Sequence, residues 1–279
     1  MTAGMSMRTQ YNVTVPTAYG TMIVNRNDWM EKNGERFGVG WDLLETGRYA
    51  QGELDHLRTL IGHCRADPVL LDVGANIGVH SLLFAELAGA RGRVYAFEAQ
   101  RIVYQMLMGN LALNSIENVY ARQVAVGAEA GELRLPPVDY ASPWNFGGMG
   151  LIDESADPQF APGSAERSAA DKHEIIPMIS VDSLNLERAD FIKVDVEGME
   201  LDVMRGALNT MERHRPLMQV EWWGRDHGAL PRYLIDELGY RVCQAGMNLV
   251  CIPVERVDIS IDESMEITLG ALQHAFKPA

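Results

Sequence analysis

Two groups of residues in this chain have the types and spacing needed for chemistry. The first is Leu70-Leu71-Asp72-Val73-Gly74-Ala75-Asn76-Ile77-Gly78, where a compact apolar run gives way to helical spacing. Glycines at such a strand-to-helix turn let the backbone approach a ligand closely, and a helix N-terminus offers amides to a negative group. Twenty residues beyond Gly78, Glu98 closes the next apolar run. In nucleotide-binding α/β folds a carboxylate placed there accepts hydrogen bonds from ribose hydroxyls. The glycines follow an aspartate and are spaced GxxxG, whereas a pyrophosphate-binding turn is GxGxxG. An acid beside the loop suits a ligand bearing an ammonium and a sulfonium better than one bearing two phosphates. Tight strand–helix packing is the structural use of the same glycines.

The second group is Lys193-Val194-Asp195-Val196-Glu197-Gly198, with Gln219-Val220-Glu221-Trp222-Trp223 following. Side chains alternate along a strand, so Lys193, Asp195 and Glu197 start on one face and Val194 and Val196 on the other. Ligands in such sheets lie beyond the C-terminal strand ends, which is where Asp195, Glu197 and Glu221 are expected to converge. Three readings of that trio stand open. One carboxylate, its pKa raised, is a general base for an acceptor hydroxyl; the three bind Mg²⁺; or Lys193 pairs with Asp195 and merely neutralises a buried charge.

Further candidates lie in loops. Ser142-Pro143-Trp144-Asn145-Phe146-Gly147-Gly148 carries aromatics beside an amide, which fits either a substrate-contacting lid built on Trp144, Asn145 and Phe146 or a packed surface loop. Trp222 and Trp223 suit stacking on a sugar or core packing. His80 could face a reaction centre from the first helix after the loop, but reads more simply as a helix histidine, and His173 and His227 read as solvated.

The elements that must hold these residues are legible from hydrophobic periodicity. Strands are expected at Val69–Val73, Arg93–Phe97, Val119–Val126, Phe191–Val196, Leu217–Val220, Tyr240–Gln244 and Leu249–Ile252. Helices are expected around 79–87, Ile102–Leu113, Leu201–Met211 and Pro231–Leu238. Strand–helix repetition implies a mostly parallel sheet with helices on both faces. Residues 1–66 read as an N-terminal cap: a hairpin of Tyr11–Pro16 and Thr21–Asn25 around Gly20, then helix from Trp41 to Arg65 broken at Gly47 and Gly52. The main domain spans 67–253, with a long loop insertion at 136–173 whose Ala156–Asp171 stretch reads as disordered surface. The acidic tail, 254–279, carries no assignment.

Four stretches together resemble the FkbM-type methyltransferases: Asp72-Val73-Gly74-Ala75-Asn76-Ile77-Gly78, Ala96-Phe97-Glu98, Asn110-Leu111-Ala112-Leu113-Asn114, and Ile192-Lys193-Val194-Asp195-Val196-Glu197-Gly198-Met199-Glu200. The resemblance runs over about residues 45–225 and takes in Tyr49 and Glu53. It implies a class I methyltransferase fold, a Rossmann-like seven-stranded sheet with a last antiparallel strand. It also implies S-adenosylmethionine as cofactor and methylation of a hydroxyl oxygen on a sugar, glycan or secondary metabolite. By the same match Asp72, Gly74, Asn76 and Gly78 would hold the methionine part, Glu98 the ribose, and Ala125 and Val126 would flank the adenine. Ala99 departs from the pattern, since the family commonly has proline after the glutamate.

Bulk properties limit the partners. The 279 residues carry 38 acids against 24 bases, a formal net charge of −14. That balance repels phosphate backbones and anionic membranes, and leaves neutral or cationic small molecules easiest to admit unless a local basic pocket reverses it. Cys64, Cys243 and Cys251 form no CxxC pair and suit reduced thiols, hence a cytoplasmic protein. Two other function classes remain to be weighed against the structure: a nicotinamide-dependent oxidoreductase and a non-catalytic cofactor-binding protein.

Overall fold

The computed structural model describes residues 10–148, 173–260, 266–268, 270 and 272. Two hairpins open the chain, β1 (Asn12–Thr17) with β2 (Gly20–Asn25), and β3 (Met30–Lys32) with β4 (Glu35–Phe37), followed by α1 (Val39–Thr46) and α2 (Gln51–Gly62). Then come β5 (Val69–Val73), α3 (Val79–Ala88), β6 (Arg93–Glu98), α4 (Arg101–Leu113) and β7 (Val119–Gln123). Next are the short strands β8 (Ala125–Val126), β9 (Gly131–Leu135) and β10 (Glu174–Ile179). The chain continues through β11 (Phe191–Val194), α5 (Glu200–Arg205), α6 (Leu208–His214), β12 (Leu217–Glu221), α7 (Ala229–Arg232), β13 (Tyr240–Ala245) and β14 (Asn248–Pro253).

Seven strands form the central sheet in the order β13-β14-β12-β11-β5-β6-β7. The pairs from β12 through β7 are parallel, while β14 runs antiparallel to both β12 and β13. The inner strands β5 and β11 are apolar almost throughout, as strands covered on both faces must be. Alternation sorts their residues into two cores. Leu70, Val94, Phe191 and Leu217 face α2, α3, α4 and the N-terminal hairpin. Leu71, Val73, Ile192 and Met218 face α5, α6 and α7. Met22, Val24 and Leu43 belong to the first of these cores, so the N-terminal segment packs directly on the sheet. No helix among the described residues is long and apolar enough to cross a membrane.

Several expected elements differ in detail. The run 119–126 divides at Val124: β7 is the edge of the main sheet, and β8 instead pairs in parallel with β10 in a separate three-stranded sheet. The helix expected over 201–211 is two helices separated at Gly206 and Ala207, because Gly206 packs against the backbone carbonyls of Gly127 and Ala128. The β3–β4 hairpin was not anticipated, although Asn33-Gly34, both at positive φ, is the dipeptide that the tight hairpin turn favours. The strands β9 and β10, neither of which was among those expected, flank the segment 136–173, β9 ending at Leu135 and β10 beginning at Glu174; residues 149–172, including 156–171, lie outside the described residues, as does most of the tail.

Candidate active site

The turn after β5 is held chiefly by the end of β6. Gly74 and Ala75 both donate their N–H to the Phe97 carbonyl at 2.9 Å. Asn76 N–H reaches Glu98 Oε2 at 2.9 Å, Ile77 N–H reaches Asn76 Oδ1 at 2.7 Å, and Gly78 N–H returns to the Ala75 carbonyl at 3.0 Å. Every amide from Gly74 to Gly78 is therefore already engaged, three of them by Phe97 and Glu98 of β6 and two within the turn, and none is left to cradle a pyrophosphate, which removes the basis for the nicotinamide reading. Gly74 has φ +85, and a Cβ there would collide with the Asp195 carbonyl oxygen. The turn thus lies against the end of β11, and only glycine permits that approach.

Glu98 ends β6 with its carboxylate accepting from Asn76 N–H and, at 2.7 Å, from Gln100 N–H. Burial outweighs those two hydrogen bonds and raises its pKa to about 7. A buried carboxylate with lone pairs remaining at the cavity wall is suited to accept from a diol.

A cavity of about 1150 Å³ opens between the turn, the trio and the N-terminal segment. That exceeds the usual span for one small ligand and leaves space for a nucleoside cofactor and an acceptor together. Gly74, Asn76, Glu98, Ala125 and Val126 line one part of it, with Phe97 and Val124. Asp195, Glu197 and Glu221 line another, and Asn145 a third. A glycine approach, a buried acid and an apolar slot fit the donor set that S-adenosylmethionine needs.

The three carboxylates do converge: one oxygen of each lies within 4.8 Å of the others. Asp195 is held by Lys193, whose ammonium donates to Oδ2 at 3.0 Å and is 1% exposed. Burial pulls the Lys193 pKa down, but Asp195, Asp72 and Glu53 outweigh it and keep the ammonium charged. Glu197 sits at positive φ, in the turn between β11 and α5. Burial, and then the charges of Asp195 and Glu200, push its carboxyl well above the usual range. Glu221 is likewise driven up, by burial and by Asp195 and Glu197, and its Oε2 has no hydrogen-bond partner. Beneath the trio Gln219 donates to Glu53 Oε1 at 2.6 Å, and His80 approaches the same oxygen at 3.5 Å. Burial raises the Glu53 carboxyl, but His80, Lys193 and Gln219 together bring it down to about 2.

Five expected site residues do not reach the cavity. Asp72 is fully buried and accepts from Ser81 Oγ at 2.6 Å, beneath the turn. Gly78 caps α3, where its missing side chain makes room for Leu107. Trp144 bridges Asp28 and packs on the core, and Phe146 is 2% exposed with its N–H on Asp28 Oδ1 at 3.0 Å. Trp222 faces the α5–α7 core and donates its indole N–H to Asp226 Oδ1 at 2.8 Å. The loop from 142 to 148 is consequently both packed and wall-forming, since Asn145, Gly147 and Gly148 line the cavity between its buried aromatics. His80, His173 and His227 are not among the lining residues.

Trp223 takes the place expected of Trp222. Strand alternation had the answer, because Gln219, Glu221 and Trp223 share a face and Trp222 has the other. Tyr49 also lines the cavity, its hydroxyl pKa raised by burial and by the charge of Asp195. Residues of the β3–β4 hairpin, Met30, Lys32 and Phe37, complete the wall, and the unread Asn33-Gly34 turn was their signal.

A seven-stranded sheet with its last strand antiparallel, and a glycine turn and acid at adjacent strand ends, defines the class I S-adenosylmethionine-dependent methyltransferases. The family model of the methyltransferase FkbM domain matches residues 72–242, and the chain belongs to that family. It is 30% identical over 210 residues to methyltransferase sdnD of Sordaria araneosa, covering 65% of this chain and 77% of that one. It is 27% identical to the hexuronic acid methyltransferase AglP of Haloferax volcanii, covering 59% of this chain and 60% of the relative. A crystal structure of a methyltransferase FkbM from Methylobacillus flagellatus KT aligns at TM-score 0.47 and 19% identity, over 68% of this chain and 45% of that one.

Proposed function

We propose that this methyltransferase acts on a hydroxyl oxygen of a sugar, glycan or secondary metabolite. The observation that carries this reading is the meeting of Glu197 and Glu221 with the Lys193-held Asp195 in the cavity that the glycine turn opens into. The name of the relative AglP, which points to a hexuronic acid, supports a sugar acceptor.

When bound, S-adenosylmethionine supplies an electrophilic methyl group on a sulfonium. The chain's own task is to orient an acceptor, exclude water and take one proton. Gly74, Asn76 and Glu98 hold the cofactor, with Ala125 and Val126 beside its base. Asp72 and Gly78 act from below, by shaping the turn. Alignment in a dry pocket is worth on the order of 7–11 kcal/mol at best. Lys193 holds Asp195 in place by an ion pair, and the Asp195 charge discourages ionisation of Glu197 and Glu221. Whichever of these two is ionised is then a stronger base than an ordinary carboxylate and can take the hydroxyl proton as the methyl group transfers. The convergence of three carboxylates favours a second reading as well, in which they hold Mg²⁺ and the ion positions the hydroxyl. Activity that survives exhaustive chelation selects the base.

A small-molecule or glycan acceptor is expected, with neither nucleic acid nor membrane as partner, on the strength of the acidic charge balance. Three free thiols favour a reducing compartment, the cytoplasm. The decisive experiment supplies isotopically labelled cofactor with a panel of sugars and cell extract, and seeks by mass spectrometry a product heavier by one methylene. Base-stable methyl on oxygen is the expected outcome; label found only on nitrogen or carbon would overturn the reading.

A further inference from the structure

The outer part of the cavity has a charge pattern that the whole chain does not share. Its exposed lining includes Glu31, Lys32 and Phe37 from the β3–β4 hairpin and Trp223, Arg225 and Met247 from the turns after β12 and β13. Two of the acids that line the cavity have ion-pair partners. Glu31 is approached by Arg36 at 3.5 Å, and Asp195 deeper down is paired with Lys193. The Asp42 carboxyl is pushed up by burial. Lys32 and Arg225, by contrast, have no ion pair among the described residues, although Arg225 draws the Glu197 carboxyl down from a distance.

In a chain of net charge −14, two cations without an ion pair among the described residues stand at the mouth of a cavity whose other charged lining is acidic, and they are the groups there that can receive an anion. Arg225 also has a defined relation to an aromatic surface. Its guanidinium lies 5.5 Å from the centroid of Trp223, which is 51% exposed. A ring resting on that indole brings its substituents within reach of a planar, five-donor group suited to two-point contact with an oxyanion.

We propose that the acceptor is an anionic ring compound, its ring lying on Trp223 and its carboxylate or phosphate held by Arg225 with help from Lys32. The proposal rests on the methyl-transfer reading and narrows it, setting aside the neutral and cationic molecules that bulk charge alone would admit. The hydroxyl to be methylated then belongs to the same ring and points inward, toward Glu197 and Glu221.

The test measures ligand binding by calorimetry to protein saturated with S-adenosylhomocysteine. Three probes are compared: 4-nitrophenyl β-D-glucuronide, its neutral glucoside counterpart, and glucose 6-phosphate. At least one anion should bind about tenfold more tightly than the glucoside, the scale of one charge-assisted hydrogen bond. The tighter of the two tells carboxylate from phosphate. The preference should vanish in the double variant Lys32→Gln/Arg225→Gln while S-adenosylhomocysteine affinity is retained, and Trp223→Ala should weaken all three, since each lays its sugar ring on the indole. Equal binding of all three, no binding of either anion at millimolar concentration, or a preference that persists in the double variant would overturn the proposal. Failure of S-adenosylhomocysteine itself to bind would instead sink the methyl-transfer reading.

Discussion

Replacing Lys193 with methionine tests whether the buried cation organises the carboxylates. The side chain is 1% exposed, so methionine fills nearly the same space while the charge is lost. Asp195, Asp72 and Glu53 are then left without the ammonium that sets their balance. Removing one partner of a buried ion pair costs about 3–5 kcal/mol. The Asp195 side chain is 35% exposed, so water relieves part of the deficit and the expected loss is about 3 kcal/mol. For a chain of this size that lowers Tm by roughly 6–12 °C. Thermal unfolding followed by far-UV circular dichroism reads the loss directly. The double variant Lys193→Met/Asp195→Asn removes both charges and should recover part of it. A single variant within about 1 kcal/mol of the parent, or a double variant no better than the single, would refute the assignment of Lys193 as counterion.

Glu98→Gln should weaken S-adenosylhomocysteine binding by roughly 10–100-fold in calorimetry, the value of charged hydrogen bonds to a diol, with the fold retained. In the parent, affinity should climb as pH rises through about 7, because the ionised carboxylate is the better acceptor; a flat profile would count against Glu98 at the ribose. Gly74→Ala places a side chain at φ +85 against the Asp195 carbonyl, and should lose at least about 1–2 kcal/mol of stability and nearly all cofactor binding. Asp28 is buried, and burial raises its pKa from 3.8 to about 6 against the pull of the Phe146 and Gly40 amides. Folded protein therefore holds this proton more tightly than unfolded protein does. The associated stability is complete below pH 3.8 and disappears as pH rises through about 6, a slope that denaturant titrations should detect and Asp28→Asn should remove.

Most of the central sheet was legible because parallel strands buried on both faces leave uninterrupted apolar runs, and Val69–Val73 and Leu217–Val220 announce themselves. The turn after β5 and the acid facing it were legible for a related reason, since Gly74 and Glu98 stand where strands end, and both line the cavity. What sequence could not show is the direction of side chains in irregular backbone. Trp144 and Phe146 look like a lid by composition, yet their aromatic rings turn into the core and only Asn145 between them turns to the cavity. Asp72 looks like a ligand because it adjoins the glycine turn, but Ser81 and the neighbourhood of Lys193 claim it. The β3–β4 hairpin was lost because its strands are three residues each and leave no periodic pattern.

That hairpin has a consequence for how the cavity wall is divided. Arg36 lies 4.3 Å and 4.9 Å from the ring centroids of Trp29 and Trp41, so the hairpin is clamped at its base by two indoles rather than woven into the main sheet. Its strands pair only with each other, so the wall that Met30, Lys32 and Phe37 give the cavity is a unit apart from the sheet whose ends carry Gly74 and Glu98.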